Sequence, residues 1–138
     1  MRFMVWAAMV AAIVFSNSVL AEISIDNAWA RLLPPTVKTT AGYLDISSTK
    51  DDRLISASSS SATVIEIHQT TMADGVMSMN QVEGVDVLAG TPLSLTPGGF
   101  HLMIKGLLTP LKDGQILPLV LEFEHSGSVM LEMPVRAN

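Results

Sequence analysis

An all-β chain, folded as an antiparallel sandwich or barrel, is what this sequence predicts, and three observations carry the prediction. Beyond residue 21 no stretch sustains a 3.6-residue apolar period over helical length. Turn-forming groups such as Ala73-Asp74-Gly75, Pro97-Gly98-Gly99 and Lys112-Asp113-Gly114 recur along the chain, and short strands between frequent turns are the signature of sandwiches and barrels. Between the turns apolar and polar residues alternate, most clearly at Leu117, Leu119, Leu121 and Phe123 and again at Val129, Leu131, Met133 and Val135. That is the period of a strand with one face in the core.

Taken in order, the first strand runs from Ile23-Ser24-Ile25 through Ala28-Trp29-Ala30 and is stopped by Pro34-Pro35, because proline has no N–H to donate. Residues 39–48, with Tyr43, Leu44 and Ile46, read as a second strand closed by the charged turn Lys50-Asp51-Asp52-Arg53. Residues 54–61 read equally as an exposed strand edge or a loop, since they end in an unbroken serine run. Residues 64–68 form a strand with Val64, Glu66 and His68 on one face and Ile65 and Ile67 on the core face. The Asp74-Gly75 turn returns residues 76–81 as its hairpin partner, which brings Met77 and Met79 near His68. Residues 91–95 and 100–104, flanking Pro97-Gly98-Gly99, are expected to form another hairpin, and the two alternating runs after residue 116 a further one. The phasing assigns Ile65, Ile67, Leu119, Leu121, Phe123, Leu131 and Met133 to the core.

A length of 138 residues suits one domain with a modest core. Arg2 precedes an apolar run of 13 residues, then Ser16-Asn17-Ser18 and Val19-Leu20-Ala21, the layout of a secretory signal peptide. The run falls short of the roughly 20 residues a spanning helix needs, so residues 1–21 are expected to be a signal peptide cleaved after Ala21, and 22–138 the exported, periplasmic domain without stable membrane insertion. Without Arg2 the chain keeps 7 Lys+Arg against 13 Asp+Glu, a net of −6 with neutral histidines. Such a charge argues against nucleic acid or anionic lipid as a partner. There is no cysteine, hence no disulfide, thiolate metal site, cysteine nucleophile or lipid-bearing thiol among these residues.

Histidine and methionine are concentrated in one stretch: His68, Met72, Met77, Met79, His101 and Met103. His101 and Met103, two apart on a strand, point the same way about 6.5–7 Å apart at Cα, a span a thioether and an imidazole can close around one ion. His68 with Met79 would complete a neutral N2S2 or NS3 set, with Met77 and Met72 as auxiliary thioethers. Imidazole with thioether suits copper, above all Cu(I), whereas zinc, magnesium and calcium call for thiolate or carboxylate. The competing explanation for each methionine is core packing, which Met133 fits, and for a lone histidine a surface position, which His125 fits. Catalysis finds less support: there is no Gly-x-Ser-x-Gly, nothing singles out Glu66 and Glu83 as a carboxylate pair, and a blue-copper centre would need a cysteine.

These residues carry a resemblance to the PCuAC family of periplasmic copper chaperones. The family motif is His, ten residues, Met, twenty-one residues, then His-x-Met, and His68, Met79, His101 and Met103 reproduce both gaps. Ala28-Trp29-Ala30-Arg31, Ala41-Gly42-Tyr43, Asp74-Gly75-Val76-Met77 and Pro97-Gly98-Gly99 are also similar to the family, across residues 23–135. Gln69 stands where many relatives have Met, and no His- and Met-rich tail follows the domain, so Cu(II) binding by such a tail is not expected. The resemblance implies a cupredoxin-like Greek-key β-sandwich, with no enzymatic activity, that holds one Cu(I) at an exposed rim and delivers it to the dinuclear copper centre of cytochrome c oxidase subunit II or to another copper chaperone. A monomer is expected. Copper buffering or resistance would use the same ligands, and an interaction sandwich whose methionines merely pack is the reading without a metal.

Overall fold

A computed structural model describes residues 22–137, so the expected signal peptide and its cleavage point lie outside the described residues. Ten strands follow one another: β1 (Ile23–Arg31), β2 (Thr39–Ser48), β3 (Asp52–Ser58), β4 (Ala62–Ala73), β5 (Val76–Gln81), β6 (Val85–Val87), β7 (Leu93–Leu95), β8 (Phe100–Leu107), β9 (Ile116–Phe123) and β10 (Gly127–Arg136). They form one sheet in the order β5-β4-β8-β2-β1-β10-β9-β3-β6, with β7 also on β2. A pairing of Ala57 in β3 with Ile65 in β4 closes the sheet on itself, which makes the all-β sandwich a closed, barrel-like one. All pairings are antiparallel except β1 with β10, where Ala30 lies beside Val135.

The core is the inner face of this sheet. Ile65, Ile67, Leu119, Leu121, Phe123 and Met133 are buried as their phasing predicts, while Leu131 is only partly buried and packs against the cluster. Met133 is core filling: a Cβ at Gly42 would lie 2.9 Å from its Sδ, so the glycine in β2 makes room for the thioether.

Two strands change face partway. In β1 the register with β2 shifts between Asp26 and Trp29, and Asn27 there takes a φ of 53°, the left-handed value that Asn tolerates better than most residues. This bulge lets Ile23 and Ile25 pack inward before it and Ala28 and Ala30 after it, which turns Trp29 and Arg31 outward. A second shift in β3, between Leu54 and Ser56, buries Leu54 and Ala57, three residues apart.

Two expectations are corrected here. Residues 52–53 are not a turn but the start of β3, because buried Asp52 accepts hydrogen bonds from the N–H groups of Arg53, His125 and Ser126 and from the Ser126 hydroxyl. Residues 91–95 and 100–104 do not form a hairpin. β7 and β8 lie end to end on one edge of β2, Leu95 opposite Leu44 and Leu102 opposite Gly42. The turn between them, closed by Gly99 N–H to Thr96 O and Thr96 N–H to Phe100 O, is an excursion from a continuing edge.

Candidate metal centre

Pairing of β4 with β8 sets His68 directly opposite His101 and Glu66 opposite Met103. Since Ile65, Ile67, Leu102 and Ile104 point into the core, the alternation of side chains puts both histidines, Glu66 and Met103 on the outer face. β5 adds the hairpin partner: Gln81 lies opposite His68, Met79 opposite Thr70 and Met77 opposite Met72. Asp74 and Gly75, with φ of 52° and 76°, make the two-residue turn that sets this register. Met79 is therefore one same-face pair beyond His68, a diagonal neighbour about 7–8 Å away at Cα, rather than its direct partner.

The two imidazoles lie with ring centroids 5.9 Å apart. His101, only 3% exposed, has Nδ1 at 3.2 Å from the Gly99 carbonyl oxygen. A carbonyl only accepts, so Nδ1 carries the proton and Nε2 the lone pair. His68 Nε2 lies 2.9 Å from Glu66 Oε2, and a carboxylate likewise makes Nε2 the donor and leaves the lone pair on Nδ1. Both lone-pair nitrogens, His68 Nδ1 and His101 Nε2, are buried without a hydrogen-bond partner. A buried polar atom left unpaired costs about 1–3 kcal/mol. An imidazole with one nitrogen anchored to an oxygen and the other free is the arrangement of a metal-ligating histidine.

Glu66 is itself held by Lys105 Nζ at 3.1 and 3.2 Å. Hydrogen bonding from His68 first, and from Lys105 second, keeps its carboxyl below the usual value, so it stays an acceptor for the ring.

Beside the histidines opens a cleft of about 340 Å³ whose walls include His101, Met103, Met77, Met79, Tyr43 and Arg31. His68 is not among them. Tyr43 meets Trp29 with ring centroids 4.8 Å apart and planes tilted by 42°, and lies 6.5 Å from the His101 ring, so that four rings cross β1, β2, β8 and β4 in a row. The Arg31 guanidinium sits 5.5 Å over Tyr43. This corrects the expectation of ligands lying on the surface: His101 is buried, between Tyr43 and His68 in the row and hydrogen-bonded to the excursion after β7, and the thioether side is open, with Met79 56% exposed.

The structure thus brings His68, His101 and Met103 onto one face of adjacent strands and places Met79 and Met77 at the same cleft, while Met72, the register partner of Met77, is not among the cleft walls. Sequence reasoning missed the parts that hold the rings. Glu66 was visible as a same-face neighbour of His68 at i−2, but the Gly99 carbonyl had no signal, because backbone acceptors carry no residue identity. Among the described residues no three His, Cys, Asp or Glu side chains cluster as a metal site, which leaves the His and Met donors. A larger apolar groove of about 800 Å³, between the end of β3 and the β9–β10 ladder, includes no histidine.

A family model described as "Putative lipoprotein LpqE-like" matches residues 23–135. The chain is 29% identical over 117 residues to Putative lipoprotein Lxx21020 of Leifsonia xyli subsp. xyli, covering 83% of this chain and 69% of that protein. Among solved structures it is similar to the copper-bound PCuAC domain from PmoF2, with a TM-score of 0.71 at 20% identity, over 87% of this chain and 97% of that one. The Cu(I) form of DR1885 from Deinococcus radiodurans gives a TM-score of 0.66 at 27% identity, over 83% and 77%. The PCuAC resemblance read from the sequence and the all-β sandwich are both borne out.

Proposed function

The chain belongs to the LpqE-like family, and from that premise we propose that it is a periplasmic Cu(I) metallochaperone, holding one ion through His68, Met79, His101 and Met103. One observation carries the reading: two facing imidazoles each have one nitrogen anchored to an oxygen and the other buried and unpaired. Neutral nitrogen and thioether donors favour Cu(I), which bears a single charge and prefers soft ligands. The likeness to the Cu(I) form of DR1885 supports the same ion.

The asymmetry of the cradle suits a carrier. His101 is buried and fixed, whereas Met79 is exposed on a flexible stem. An acceptor's ligand displaces the thioethers first and the imidazoles last, and the ion changes ligands without changing charge, so the protein catalyses no reaction of its own. The acceptor we assign is the dinuclear copper centre of cytochrome c oxidase subunit II, on the PCuAC likeness. The lipoprotein description of the relatives agrees with export, although none of these 138 residues is a cysteine able to carry a lipid.

Titration with Cu(I) against a competing chelator tests the site: one tightly held ion, lost to the chelator in the His101→Ala variant, is the expected result. Mixing the loaded protein with the apo copper domain of subunit II tests delivery. Unchanged Cu(I) affinity in the variant would remove the basis of the reading, and retention of copper by the carrier would turn it into a buffer.

A further inference from the structure

We propose that the outer face of the β4–β5 hairpin carries a second soft-ion site, built from the thioethers of Met72, Met77 and Met79, which takes up Cu(I) or Ag(I) and passes it to the His101–Met103 cradle. The destination of the ion rests on the reading above; the site itself does not.

Packing does not account for these methionines. Met133 is fully buried and Met103 partly so, but Met72, Met77 and Met79 are 67%, 60% and 56% exposed. Nor are they scattered. Met72 and Met77 are direct register partners, a geometry that brings Cβ atoms to about 4.5–5.5 Å, and Met79 follows Met77 by two residues on the same face. Exposed apolar surface alone would not choose a face: Val76 is 63% exposed, yet it pairs with Ala73 on the opposite side of the hairpin. Sulfur does choose, since all three thioethers are on the histidine side.

Three thioethers can enclose a monovalent soft ion, and they offer nothing to zinc, magnesium or calcium. The Met72–Met77 pair lies four residues along β4 from the His68–Gln81 pair, about 13 Å at strand rise. Met79 stands halfway and also lines the cleft with His101 and Met103. Met77 lines that cleft too, so an ion moves inward by exchanging first Met72 and then Met77 for Met103 and His101 while Met79 stays bound. No electron changes hands and the ion keeps its single charge throughout.

The test is a titration of the protein with Ag(I) in chloride-free buffer, followed by the methyl signals of labelled methionines and the ring signals of the histidines. The first equivalent should move His101 and Met103, and a second, weaker equivalent Met72 and Met77. Met72→Leu keeps the apolar area and removes one sulfur from a residue outside the cleft. It should weaken the second equivalent at least tenfold, leave the affinity for the first unchanged, and slow loading at limiting metal. Met72 and Met77 methyls that stay still at two equivalents, or a second equivalent unaffected by Met72→Leu, would overturn the second site. If His101 and Met103 stay still while Met72 and Met77 respond, the hairpin site stands and the chaperone reading fails.

Discussion

His68 and His101 are direct partners across β4 and β8, with ring centroids 5.9 Å apart and one unpaired nitrogen each. Because each ring supplies one lone pair, either substitution to Ala should lower Cu(I) affinity by roughly a hundredfold, about 2.7 kcal/mol, in chelator competition. The two should differ in stability. His101→Ala removes a buried ring and one of the two donors to the Gly99 carbonyl, which also accepts from the Thr70 N–H, and should cost about 0.5–1.5 kcal/mol in denaturant unfolding, whereas the more accessible His68 should cost less. Equal stability losses would mean that the two rings are not held as unequally as their burial indicates.

Glu66→Gln leaves a side chain of the same size but removes the charge that makes Nε2 the protonated nitrogen of His68. Loss of such a partner costs about 10–100-fold in metal affinity. Nitrogen chemical shifts of His68 should show the Nδ1-protonated form gaining population in the variant. A copper affinity that falls with no change in tautomer would point to lost electrostatic attraction instead.

Leu121 is fully buried and Leu131 only partly so, though both sit in phase on the β9–β10 ladder. Leu121→Ala should cost about 2–5 kcal/mol, and Leu131→Ala clearly less, by chemical denaturation. Reversed costs would contradict the placement of the core.

Asp52 contributes to the acid sensitivity of the fold. Burial pushes its carboxyl up, but the Ser126 hydroxyl and the N–H groups of His125, Arg53 and Ser126 together outweigh this and hold it below its ordinary value. A carboxylate with a depressed folded pKa contributes stability that is complete above the unfolded value, about 3.9, and is lost as pH falls through the folded one. Stability of the wild type and Asp52→Asn should therefore differ at neutral pH and converge in acid. Parallel curves down to low pH would show that Asp52 takes no part in acid unfolding.

How much was legible in the sequence follows from where alternation survives. β2 and the β9–β10 hairpin were read directly, since each keeps one face throughout. β3 was ambiguous because its bulge sets Leu54 and Ala57, three apart, into the same core and so hides the period. β7 misled because a Pro-Gly-Gly turn marks a change of path, and an excursion along one edge uses the same residues as a reversal. The proposed donors stand out in the sequence by their types and gaps. Their burial was not legible, since it depends on Tyr43, Trp29 and the excursion, which come from other parts of the chain.

The parallel pairing of β1 with β10 joins the first described strand to the last. A chain synthesised from its N-terminus holds every proposed copper ligand by Met103, before β9 and β10 emerge. Their Leu119, Leu121 and Met133 form part of the floor under β2, β4 and β8. The donors thus exist before the scaffold that fixes their spacing, and copper met at that stage would find loose methionines and histidines on an unfinished sheet. The spacing of the proposed donors is thus a property of the completed chain, set by strands that are synthesised after them.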